Sequence, residues 1–134
     1  MKPFLAAVFG LSLSALFAGG AAASPHDACR RPSVLSHITK SFQEKAATYL
    51  QTDAQIFEIR GMRMNRYQPR TADLSSVERE YCHAAVSLTD GRRRDLWYVV
   101  QWGWGFASHG YNIEYCISGL DPWHVYGADC RSLR

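Results

Sequence analysis

The 134-residue sequence contains no C-x-x-C pair, no helical metal motif, no phosphate-binding loop and no dinucleotide fingerprint. These absences remove the reaction classes that short motifs announce. No Ser-His-Asp arrangement is present either. No apolar run beyond residue 17 is long enough to cross a bilayer, and no lipobox cysteine follows the first run. Lysine is scarce as well. Outside the first 23 residues, twelve of the fourteen basic residues are arginine.

The first 23 residues read as a secretory signal peptide. Lys2 supplies a short basic start, residues 4–17 an apolar run, and Gly19, Gly20, Ala21, Ala22 and Ala23 a small-residue cleavage site. Cleavage after Ala23 removes 23 of the 134 residues and leaves 111, residues 24–134, the size of a single domain. The expected location is periplasmic or secreted, and the expected state a monomer with no later membrane span. The remaining charge, fourteen basic against twelve acidic residues, is close to balance. That argues against nucleic acid as a partner. The one basic run, Arg92-Arg93-Arg94, reads as a solvated hairpin tip.

Four cysteines, Cys29, Cys82, Cys116 and Cys130, all fall after residue 23. An even count in a short exported domain predicts two disulfides, with three possible connectivities. No metal or cofactor site is expected. Cys82 and His83, adjacent on a strand, would point to opposite faces.

One amphipathic helix is predicted, with Ser33 as N-cap and an end near Thr52-Asp53. Its apolar stripe is Val34, Leu35, Ile38, Phe42, Ala46, Tyr49 and Leu50. Four strands follow. The first covers 54–67, with a bulge at Gly61 to reconcile Phe57 and Ile59 with Met62 and Met64. The second runs over 77–88. The stretch 96–116 then supplies a long hairpin rich in aromatic and β-branched residues at period two. Helix followed by four meandering strands predicts an α+β fold: one N-terminal helix packed on a curved four-stranded antiparallel sheet, with two disulfides.

Pairing Leu88 with Leu96, and Phe106 with Tyr111, divides the sheet into two faces. The helix side receives Cys82, Ala84, Val86, Leu88, Leu96, Tyr98, Val100, Trp102, Trp104, Phe106, Tyr111, Ile113, Tyr115 and Ile117. The far side receives Arg79, Tyr81, His83, Gln101, Gly103, Gly105, Asn112, Glu114 and Cys116. Cysteines on opposite faces cannot bridge, which favours Cys29–Cys82 and Cys116–Cys130. The second bridge would fold the tail across the far face. Trp123 or Tyr126 would then rest on a floor of Gly103 and Gly105.

The candidate binding residues are Arg79, Tyr81, His83, Trp97, Gln101 and Glu114 on the far face, with Trp123 and His124 above it. Exposed aromatics beside arginine are the usual anchors of an interface. The expected function is a non-enzymatic, exported binding module for a protein or cell-envelope component. The alternative is a small hydrolase or isomerase using His83 with Glu114, or Asp121 with His124, as an acid–base pair.

Three resemblances accompany this reading. The element order resembles cystatin-like folds, in which a helix is grasped by a sheet. The stretch IEYCISGLDPWHVYGADCRSLR is similar to the tails of small exported bacterial proteins, which implies an exported location and no particular activity. Pro25-His26-Asp27-Ala28-Cys29 resembles the Pro-His-Asp loop of periplasmic C-type lysozyme inhibitors. There, cysteines flank the loop. Here one follows and none precedes, so the match brings no activity to this chain.

Overall fold

Helix α1 (Pro32–Thr48) crosses one face of a four-stranded antiparallel sheet in the order β1 (Ile56–Gln68), β2 (Glu78–Leu88), β3 (Arg93–Trp102) and β4 (Tyr111–Ile117). Two short 3-10 turns, η1 (Ala28–Arg30) and η2 (Ala128–Leu133), precede the helix and end the chain. These elements come from a computed structural model described over residues 26–104 and 109–134. The expected leader, 1–23, lies outside the described residues, as do Gly105 and Phe106. Among the described residues, no helix is long and apolar enough to cross a membrane.

The helix begins two residues before the expected start, with Arg31 rather than Ser33 at the N-cap. Pro32 occupies its first position, where a missing N–H costs nothing. Ser33 is therefore not the N-cap, and its hydroxyl meets the Tyr111 phenol at 2.9 Å. The helix also stops earlier than expected. Gln51 adopts a left-handed conformation, and the Thr52 N–H closes onto the Ala46 carbonyl at 3.1 Å. Val34, Ile38, Phe42 and Ala46 are buried against Cys82, Ala84, Val86, Leu96, Tyr98, Val100, Tyr115 and Ile117. Tyr49, expected on the buried stripe, lies past the last turn and is exposed.

Both predicted disulfides are present, Cys29–Cys82 and Cys116–Cys130. The strand register differs from the expected one, and the faces do not. Leu96 pairs with Ala84 and with Ile117, four residues away from the anticipated alignment on both sides. The β2–β3 turn closes early because Gly91, with φ at 81°, ends a three-residue loop at 89–91. A shift of four preserves side-chain parity, so each residue keeps its side. One position departs from expectation at the strand end. β3 stops at Trp102, leaving Trp104 exposed rather than in the core.

Strand β1 is irregular in three places, where one bulge was predicted. The pairing slips between Ile56 and Glu58, between Arg60 and Arg63, and between Met64 and Arg66. Gly61, with φ at 64°, lies in the middle slip. Each slip moves the facing pattern from every second residue to every third. Ile56 and Ile59 thereby both oppose core residues of β2, and Phe57 is left exposed.

Four tyrosines have phenols held above the ordinary value of about 10. Burial raises Tyr98, Tyr115 and Tyr126, and also Tyr67, which neighbouring Glu78 raises further. Tyr98 is shifted furthest, and its hydroxyl donates to the Cys29 carbonyl. The unfolded chain ionises first, so this stability is constant below pH ~10 and falls as pH rises further. In an alkaline titration, the last tyrosinate absorbance change is expected to coincide with loss of circular dichroism. Substituting Tyr98→Phe should remove that late step. Ionisation of Tyr98 within an intact fold would contradict its burial.

Candidate binding face

The side of the sheet away from α1 is built in two halves. Over β3 and β4 it is roofed by the tail. Val99, Cys116, Cys130 and Leu133 form a second buried cluster, with Tyr81, Trp97 and Tyr126 packed against it. The Cys116–Cys130 bridge holds this roof down, as the sequence implies. Gly127 (φ 75°), Asp129 (φ 52°) and Cys130 (φ 58°) turn the chain back onto the sheet. Asp121 accepts the Tyr126 N–H at 3.0 Å and fixes the start of that turn.

Gly105, half of the expected glycine floor, lies outside the described residues. Gly103 follows the end of β3 with φ at 75°, and its N–H donates to the Gly110 carbonyl at 3.0 Å. It shapes the start of the hairpin turn. Trp123 lies elsewhere. It is 59% exposed and meets Tyr49, itself 64% exposed, edge to face at 6.5 Å. His124, adjacent to it, is exposed. This second aromatic cluster belongs to the end of the helix. Nearby, Leu50, Leu120, Pro122, Arg92 and Arg94 line a shallow cleft of about 330 Å³. Arg94 is not a free hairpin-tip cation, since it donates to the Ser118 carbonyl at 3.0 Å.

At the seam between roofed and open halves sits His83. It is 9% exposed, its ring lies 4.2 Å from Trp97, and its Nε2 is 2.8 Å from Asp95 Oδ1. Antiparallel pairing explains the grouping: His83 opposes Trp97, and Asp95 is one step along the same face. Arg134 reaches over the Trp97 ring at 5.2 Å. Among the described residues, His83 Nδ1 and Trp97 Nε1 are buried without a hydrogen-bond partner. The expected acid–base pairs are not the pairs observed. Glu114 accepts from Gln101 at 3.3 Å, and Asp121 serves the backbone of its own turn. Arg79, Tyr81, His83, Trp97, Gln101 and Glu114 do share one face; Trp123 and His124 do not join them.

The open half carries residues that the sequence reading passed over. Arg60, Arg63 and Arg66 of β1 oppose Ala85, His83 and Tyr81 of β2, so all three lie on this face. Arg66 covers the Tyr81 ring at 3.7 Å. Arg79, one step further, is held by the Ser75 hydroxyl at 2.8 Å. An R-x-x-R-x-x-R spacing was visible, but a regular strand sends such residues to alternating sides. Asp95 was missed for a simpler reason, since it precedes the stretch read as strand.

Glu80 was missed too, on the helix side. It is 0% exposed; its Oε2 accepts the Ala28 N–H at 2.8 Å and its Oε1 the Trp102 indole N–H at 3.0 Å. His26 stacks on Trp102 at 4.1 Å, and its Nε2 is 3.5 Å from Glu78. This joins η1 to the sheet beside the Cys29–Cys82 bridge. Comparison with protein-family models, with curated proteins and with solved structures returned no match to the chain.

Proposed function

We propose that the protein is an exported, non-enzymatic binding module that engages a cell-envelope component through the open half of the outer sheet face. The carrying observation is Arg66 stacked on Tyr81 at 3.7 Å, beside the disulfide-strapped roof. An arginine laid on an aromatic ring is immobilised before it meets a ligand, which lowers the entropy lost on binding. The roof acts as a rigid margin to that surface. Two disulfides and no free cysteine among the described residues support an extracytoplasmic location. The double variant Arg66→Ala/Tyr81→Ala is expected to keep the native circular dichroism spectrum, at a lower stability because Tyr81 packs on the roof cluster, and to lose retention on isolated cell envelopes by roughly tenfold, as for a removed anchor. Unchanged retention would sink this reading.

A second reading, a small hydrolase or isomerase, draws on the His83–Asp95 contact at 2.8 Å. A carboxylate orienting an imidazole is the arrangement a general base requires. Turnover of simple ester substrates that His83→Asn abolishes would favour it over the binding module.

A further inference from the structure

The second and third slips in β1 do more than bend a strand. They place Arg60, Arg63 and Arg66 opposite Ala85, His83 and Tyr81, which are successive same-face positions of β2. The next such position is Arg79 itself, opposite Gln68. Three cationic side chains therefore follow one line on β1, each step two residues of β2, or roughly 7 Å, and Arg79 extends the row from the adjacent strand. Only Arg60 of the row is neutralised. Among the described residues, ion pairs within 4.0 Å join His26 to Glu78, Arg60 to Glu58 and His83 to Asp95. Arg63, Arg66 and Arg79 are in none of them.

Two of these three are nonetheless held in place by uncharged partners. Arg66 lies over Tyr81, and Arg79 is bonded to Ser75. A guanidinium stacked by its face keeps its in-plane N–H fork free for an oxyanion. Uncompensated, pre-positioned and regularly spaced guanidinium groups on an open face match a linear ligand with repeating anionic groups, and do not match a single small ion.

We infer that this row binds a linear anionic glycan carrying sulfate or phosphate groups, its chain running along β1. The assignment rests on the binding-face reading above and names the chemistry of its ligand. The disulfides favour a glycan over nucleic acid, because an oxidising compartment offers the former.

The test uses dextran sulfate, neutral dextran and a single-stranded DNA oligomer as probes of the full chain. Dextran sulfate should bind, with affinity falling linearly against the logarithm of salt concentration. Neutral dextran should not bind, and the DNA oligomer should bind less tightly at equal charge. Arg63→Ala/Arg66→Ala/Arg79→Ala should weaken dextran sulfate binding at least about tenfold and flatten the salt dependence. The equal-charge control Arg30→Ala/Arg92→Ala/Arg131→Ala, on exposed arginines outside the row, should retain most of the binding. Equal losses in the two triple variants, or DNA binding as tight as dextran sulfate, would overturn the assignment. So would absence of dextran sulfate binding while envelope retention still depends on Arg66 and Tyr81; the binding face would then stand with another ligand. Envelope retention indifferent to Arg66 and Tyr81 removes the face itself.

Discussion

The double variant Cys29→Ala/Cys82→Ala is expected to lose about 4 kcal/mol of stability. The bridge spans a sequence separation of 53 residues, against 14 for Cys116–Cys130. In the chain-entropy treatment, the longer closed loop removes more freedom from the unfolded chain, about 4 kcal/mol against about 3 kcal/mol. All four cysteines are buried, so the order rests on loop length. Cys29 and Cys82 sit within the main core beside Val34 and Tyr98, and Ala at both positions leaves a void there. Chemical denaturation of both double variants checks the order. The Cys116→Ala/Cys130→Ala protein should also release the roof, exposing Trp97 and changing its fluorescence, while α1 stays docked. Equal destabilisation by the two pairs would mean that the unfolded chain is already compact around one of them.

Replacing Glu80 with Ala is expected to cost about 2–6 kcal/mol. Both carboxylate oxygens are used, one by the Ala28 N–H and one by the Trp102 indole. Removing the acceptor leaves two buried donors unsatisfied, each at about 1–3 kcal/mol. Glu80→Gln tests the reasoning more sharply. An amide offers one acceptor and one donor, so one of the two N–H groups must face another donor. Its expected loss lies between wild type and Ala. Urea unfolding, followed by Trp fluorescence and circular dichroism, measures both. A Gln variant as stable as wild type would show that one of the two bonds contributes nothing.

Side-chain parity made the two faces legible from sequence even though the register was displaced. The alternation around Tyr98, Val100 and Tyr115 is indifferent to a shift of four, so the helix side, the outer side and both cysteine pairs follow from it. The same parity grouped His83 with Trp97 and Gln101 with Glu114. What it could not reach depends on broken periodicity or on chemistry that contradicts the pattern. The arginine row exists only because β1 slips twice, between Arg60 and Arg63 and between Met64 and Arg66, and Gly61 signals only the first of these. Glu80 has the parity of a core residue and the character of a surface one, and its acceptors are needed only because η1 and Trp102 arrive there. Trp123 followed Tyr49 to the helix end because the tail turns at Asp121, a local geometry with no period to read.

The slips in β1 bear on one more property. An open sheet has two free edges, and β1, at thirteen residues, is the longer. A long, regular edge offers its unpaired N–H and C=O groups as a template for a strand from another molecule. On β1 that template is interrupted three times and flanked by charge, so a second chain finds no continuous line of backbone partners. The feature that lines up the arginines on one face thus also makes this border of the sheet resistant to edge-to-edge aggregation.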